Sequence, residues 1–279
     1  MASTSGLRVI RSKSSSSHNR TSHSRYGSRL PWRSDKIRAD SFGGVGTDER
    51  TRNPFRSDLY AAARLDRVSV RGMPDGSVID AFIAQRAPGP LILYLDDIGG
   101  PIGMRIATAR PERIAGLIFQ NFTISVEGWN PERLRVYERL GGPETPEKLA
   151  ETEQFATVER DMFLHKKGAR QPDALNPDNW AIDAYAFSIA ANRIFMSRLF
   201  MNLTTNIQHY LEWTAYLKER QPKTLVVWGR NDPLILPAAA EFVKQVVPSA
   251  DLRYFDASHF ALDENAEAIA EAIIQTFSR

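Results

Sequence analysis

The stretch Leu91-Ile92-Leu93-Tyr94-Leu95-Asp96-Asp97-Ile98-Gly99-Gly100-Pro101-Ile102-Gly103 decides how the chain reads. Its apolar run, Leu91–Leu95, has strand length and suits a strand buried on both faces of a parallel sheet. The acidic pair Asp96-Asp97 follows, then glycines, then a helical pattern with Ile102, Ile106 and Ala109 at i, i+4 and i+7, closed by Pro111. So abrupt a passage from strand to helix calls for residues without a Cβ, which Gly99, Gly100 and Gly103 supply. At the apex stands Asp97, a carboxylate at a helix N-terminus, where free N–H groups and the helix dipole favour an anion.

The stretch resembles the nucleophile elbow of the α/β-hydrolases, G-x-S-x-G, with Asp97 in the serine's place and Gly99 two residues on. Asp-x-Gly-Gly-Pro, an alanine-bearing helix and a Pro-Glu-Arg end are similar to the haloalkane dehalogenase and epoxide hydrolase branch, whose nucleophile is aspartate. The other reading of these residues alone is a glycine-rich turn with a solvated Asp capping the helix.

Downstream, Ile114–Asn121 reads as a second buried strand. From about 127 to 221 there is no parallel-strand signal. Helical patterns fill that region instead, at Pro131–Leu140, Pro146–Leu164, Ile182–Ser197 and Leu203–Arg220, with Asp178 as a candidate cap before Trp180. Thr224–Gly229 is again a strand and runs into Arg230-Asn231-Asp232-Pro233, which puts a carboxylate where α/β sheets hold ligands. A helix from Pro237 to about Val247 follows, then the strand Leu252–Asp256, the loop Ala257-Ser258-His259-Phe260 and an amphipathic helix over Ala266–Phe277.

Asp97, Asp232 and His259 thus each follow an expected strand, in the order nucleophile, acid, histidine. Trp-Gly-Arg-Asn-Asp-Pro and Ser-His-Phe-Ala-Leu-Asp-Glu resemble the family's acid and histidine loops, and the likeness covers about 90–279. It implies an α/β-hydrolase fold: a mostly parallel sheet flanked by helices, with core at 68–126 and 222–279 and a helical lid at 127–221. It also implies roles. Asp97 would form an alkyl ester, His259 would activate the water that hydrolyses it, and Asp232 would orient the imidazole. The Ile98 N–H is the expected oxyanion donor, and Asp96 is read as structural.

The substrate that the resemblance implies is a small apolar electrophile, an epoxide first and an alkyl halide second. Dehalogenases carry Trp directly after the nucleophile, where this chain has Ile98, so Trp129, Trp180 or Trp213 would have to replace it. Epoxide hydrolases protonate the opening oxygen with lid tyrosines, for which Tyr137, Tyr185, Tyr210 and Tyr216 are candidates. Neither a cofactor nor a metal is expected, and the partner is a small molecule.

The chain has no cysteine, which excludes disulfides, thiol catalysis and Cys-ligated zinc. No apolar run approaches the ~18 residues of a membrane-spanning helix. Its net charge of +3 is unevenly placed: 14 basic against 6 acidic side chains lie in residues 1–67, so the remainder is mildly acidic. Nucleic-acid binding by the core has no basis in that pattern.

Residues 1–67 are a low-complexity Ser/Arg-rich segment, without Asp or Glu before residue 35, and their composition cannot bury a core. Only Arg67–Val70 and Val78–Ala84 begin to look folded. The family's first strands, His-Gly loop and Asp-x-x-Gly-x-Gly-x-Ser loop are missing, although the length ahead of Asp97 is kept. Three readings stand side by side: a disordered or targeting extension on a truncated domain, a degenerate domain, or out-of-frame translation. Location follows that choice, cytoplasmic by default and organellar if the segment is a transit peptide. A degenerate, non-catalytic member lacking half its oxyanion hole is the alternative to an enzyme.

Overall fold

The structure, a computed structural model, describes residues 77–87 and 89–278; the segment 1–67, the stretch Arg67–Val70 and the missing loops all lie outside them. Among the described residues four strands form one sheet in the order β1 (Leu91–Asp96), β2 (Ile114–Gln120), β3 (Thr224–Gly229) and β4 (Asp251–Phe255), every pair parallel. Helix α1 (Ser77–Arg86) precedes β1, so Val78–Ala84 is folded, as a helix. Its Asp80 pairs with Arg110 at 2.8 Å. Helix α2 (Gly99–Ala109) joins β1 to β2, and α9 (Pro237–Val246) joins β3 to β4. Between β2 and β3 run α3 (Pro131–Leu140), α4 (Pro146–Glu153), α5 (Val158–Lys166), α6 (Asp178–Ser188), α7 (Ala190–Asn202) and α8 (Tyr210–Arg220). Helix α10 (Ala261–Phe277) ends the chain.

Both faces of β2 and β3 are apolar. Leu117, Phe119, Val226 and Trp228 pack with α2, α8 and α9, while Ile118, Leu225 and Val227 pack against Ile269 and Ala272 of α10. That is the expected signature of doubly covered parallel strands. β1 departs from it: Ile92 and Tyr94 are exposed on the face that α10 covers at β2 and β3, and among the described residues β2 is the strand's single neighbour. Its apolar run was long enough to look central, and the pattern does not distinguish the edge.

Helix α2 also faces the sheet differently from the expected stripe. Gly100, Gly103, Met104, Ile106 and Ala107 are buried, whereas Ala109 is exposed. The reason is close packing. A Cβ on Gly100 would stand 2.2 Å from Phe122, and one on Gly103 would stand 2.1 Å from Leu95. These glycines therefore let the helix lie on the strand and are not what turns the chain. The turn falls on Asp97 itself, whose φ is +38°. Three expected long helices are broken, and one of them, Leu203–Arg220, opens as a 3-10 helix over Leu203–His209 before α8. Thr157 accepts a hydrogen bond from the Arg160 N–H and starts α5 anew, and Ile189 is extended between α6 and α7. At the start of α6 it is Asn176, not Asp178, whose side chain makes the capping bond. Among the described residues no helix is long and apolar enough to cross a membrane.

Candidate active site

Parallel strands in register bring their C-terminal ends to one edge of the sheet, and the polar residues of the site follow those ends. Asp97 comes after the last residue of β1, and Asn121 after the last of β2. Both have positive φ, +38° and +42°, a conformation that Asp and Asn tolerate better than most residues and that turns a side chain out of the sheet. Asp232 lies three residues beyond β3, and His259 four beyond β4. Gly229 ends β3 against the histidine loop; a Cβ there would meet the Ser258 carbonyl oxygen at 1.8 Å.

The three residues expected to work together do lie together. His259 is fully buried, with Nδ1 2.7 Å from Asp232 Oδ2 and Nε2 3.6 Å from Asp97 Oδ1. The second distance is longer than a hydrogen bond. Asp232 is saturated: its Oδ1 accepts from the Leu234 and Ile235 N–H groups at 2.6 and 3.1 Å, and its Oδ2 also accepts from Asn121 Nδ2 at 2.8 Å. Asn121 in turn accepts from the Gly229 N–H at 2.9 Å and donates to its carbonyl at 3.2 Å. No local pattern points to this role, since the pair is separated by 111 positions.

Burial works against a charged His259, but Asp232, by charge and hydrogen bond, and then Asp97 outweigh it and hold the imidazolium well above the usual histidine range. Asp96, beside them, is pushed up to about 7, chiefly by burial and further by Asp97, although His259 and the Gln120 amide pull it down. Gln120 donates to Asp96 at 3.1 Å and accepts from the Tyr94 hydroxyl at 2.5 Å, which ties Asp96 into the β1–β2 ladder.

A cavity of about 30 Å³ opens at Asp97 and Ile98, walled by Pro101, Phe122, Trp129, Leu203, Asn206 and Tyr210. Room for a few water molecules and a mostly apolar wall suit a small electrophile. Trp129 is fixed there by backbone pairing of its segment with the acid loop: the Asn130 N–H donates to the Leu234 carbonyl and the Leu236 N–H to that of Gly128. Its indole N–H donates to the Tyr210 hydroxyl at 2.9 Å. That hydroxyl is pushed up to about 12 by burial, and its own proton has no acceptor among the described residues.

The other candidates sit elsewhere. Trp213 is fully buried against Phe122 and Tyr210, and Trp180 packs on His165. Tyr185 is exposed. Tyr216 is buried near Arg220, and Tyr137 is buried within electrostatic reach of Asp97. Among the described residues no cluster of three or more His, Cys, Asp or Glu is arranged to hold a metal ion.

Comparison with known proteins sets this geometry in context. The sequence profile of the alpha/beta hydrolase fold family matches residues 89–266. A protein of Saccharomyces cerevisiae described as an uncharacterized hydrolase is 29% identical over 192 residues, which cover 67% of this chain and 65% of that relative's own length. A haloalkane dehalogenase of Agrobacterium tumefaciens superposes with a TM-score of 0.57 at 18% identity, covering 73% of this chain and 72% of that one. A 2-hydroxy-6-oxo-6-phenylhexa-2,4-dienoate hydrolase of a Rhodococcus strain gives 0.55 at 14% identity, covering 73% and 69%. Likeness at such identities speaks for the fold alone, and the two structures carry different chemistries on it.

Proposed function

The chain belongs to the alpha/beta hydrolase fold family, and from that premise we propose that it hydrolyses a small apolar electrophile, an epoxide by preference, through an ester on Asp97. One observation carries the reading. Asp97 and Tyr210 line one cavity, and His259 Nε2 lies 3.6 Å from the Asp97 carboxylate.

In the first step an Asp97 oxygen attacks a ring carbon of the epoxide. A C–O ester bond forms, the ring C–O bond breaks, and the departing oxygen takes the Tyr210 proton. Esterification removes the negative charge of Asp97, one of the two carboxylates that keep His259 protonated. The imidazolium then gives up its proton, which restores the Tyr210 phenolate to the phenol, and becomes competent as a base. In the second step His259 takes a proton from water, and the hydroxide adds to the ester carbonyl, whose developing negative charge the Ile98 N–H would stabilise. The ester bond breaks, the departing alkoxide takes the second proton of the water, the diol leaves and Asp97 is restored as a carboxylate; over the cycle one water proton reprotonates His259 and the other completes the diol. Asp232 keeps the ring oriented throughout. The helices between β2 and β3 act as the lid, supplying Leu203, Asn206 and Tyr210 to the cavity.

An alkyl halide could undergo the same attack, but the Trp129 N–H that would bind the departing halide is engaged by Tyr210. The epoxide therefore ranks first. A single turnover in ¹⁸O-water, with enzyme in excess over a terminal epoxide, tests the reading. The diol should be unlabelled and Asp97 should carry the label. A labelled diol would mean that water attacked the substrate carbon directly.

A further inference from the structure

A second buried histidine joins the helices between β2 and β3 to the loops that carry Asp232 and His259. His165 occupies the last turn of α5 and is almost fully buried. Its Nδ1 lies 2.5 Å from Asp263 Oδ2 at the start of α10, and its Nε2 lies 3.7 Å from Asp161 Oδ2 one turn back on α5. The ring stacks on Phe260 with centroids 4.3 Å apart, and Phe260 sets its edge against the His259 ring at 4.8 Å. The backbone repeats the connection. The His165 carbonyl accepts from the Ser258 hydroxyl at 2.7 Å, the Gly168 carbonyl accepts from Asn231 Nδ2 at 2.9 Å, and the Arg170 N–H donates to Glu264 at 2.7 Å. Ser258 and Asn231 are the immediate neighbours of His259 and Asp232.

Two carboxylates around a buried imidazole are a costly way to fill space, since an apolar side chain of similar volume would often stabilise the fold as well. What the buried contact with Asp263 adds is a fixed geometry, and here that geometry ends on the ring proposed as the base. We propose that His165 is a positioning residue for His259: hydrogen-bonded to Asp263 and stacked on Phe260, it aligns the base by fastening α5 to both loops. The inference rests on the reading of His259 as the base of ester hydrolysis.

Three variants separate positioning from mere support. His165→Phe keeps a ring on Phe260 and removes the hydrogen bond to Asp263; Asp263→Ala removes the partner, and Asp263→Asn keeps a hydrogen-bond acceptor. Single-turnover kinetics with a terminal epoxide should show ester formation within about twofold of the parent in all three. Ester hydrolysis should slow by on the order of ten- to a hundredfold in His165→Phe and Asp263→Ala, as small misplacements of a reacting group do, and recover most of that loss in Asp263→Asn. A readout independent of turnover is the low-field proton resonance of His259 Nδ1–H. It should be sharp in the parent and in Asp263→Asn, and broadened or shifted in the other two. Were the parent to form no ester, the functional reading would fall while the resonance still decided the role of His165. An unchanged resonance, or equal slowing of both steps, would overturn the proposal. If His165→Phe does not fold, the two Asp263 variants decide it.

Discussion

Asn121 donates from Nδ2 to Asp232 Oδ2 at 2.8 Å, so the end of β2 holds the carboxylate that orients the buried histidine of a different loop. The same amide closes two hydrogen bonds with Gly229, at the end of β3. Asn121→Ala strands buried groups on both sides, and leaving such groups unpaired costs about 1–3 kcal/mol apiece. Denaturant unfolding should show a loss of at least that size. Ester hydrolysis should slow more than ester formation, because the contact supports Asp232 and not Asp97.

Gly100 and Gly103 are predicted to be intolerant of alanine, unlike Gly99. Added Cβ atoms would meet Phe122 and Leu95 at 2.2 and 2.1 Å, while one on Gly99 would meet nothing within 4 Å. Overpacking of this kind costs about 1–3 kcal/mol. Thermal unfolding should place Gly100→Ala and Gly103→Ala clearly below the parent and Gly99→Ala close to it or above.

Asp96 makes stability depend on pH in a direction that can be worked out. Its carboxyl is pushed up to about 7, so between about pH 4 and pH 7 the folded state holds a proton that the unfolded state has released. Stability conferred by that proton is present at low pH and is lost as pH rises through 7, by up to about 4 kcal/mol if Asp96 acted alone. His259, raised by Asp232 and Asp97 against the cost of its burial, adds to the trend above its unfolded value. Asp96→Asn should flatten the decline between pH 4 and 7 in a denaturant series. A decline as steep as the parent's would show that Asp96 is not its source.

Neutralising the nucleophile should release the base. Asp97→Asn removes one of the two carboxylates that hold the His259 imidazolium, so its titration, followed by ring-carbon NMR, should move down toward the ordinary histidine range. An unmoved or raised midpoint would contradict the charge coupling on which the two-step scheme depends.

The sheet beyond β1 could be read from sequence because glycine and proline mark its boundaries. Thr224–Gly229 ends at its glycine, and Pro131–Leu140 starts at its proline and stops at Gly141, just as expected from the sequence. Failures came where the deciding residue makes a tertiary or capping contact. Thr157 restarts a helix by a side-chain bond that periodicity ignores. The exposure of Ile92 and Tyr94 depends on which neighbours β1 has, and no apolar run encodes that. Asp97, Asp232 and His259 could be singled out because each follows a strand in the expected order. Asn121 and the Trp129–Tyr210 bond could not, since they join positions 111 and 81 residues apart. Nor could the φ of Asp97: the glycines beside it looked like the source of the turn, yet Gly100 and Gly103 serve the packing of α2.

The central claim is that Asp97 attacks carbon and that His259 acts only afterwards. Intact-mass measurement after mixing each variant with terminal epoxides and alkyl halides tests it most directly. The account predicts a trapped ester in His259→Ala, because attack needs no base, and none in Asp97→Ala. An adduct on the Asp97 variant would rule that residue out as the nucleophile, normal turnover by His259→Ala would rule out the base, and no adduct or turnover in any protein, the parent included, would mark the chain as non-catalytic.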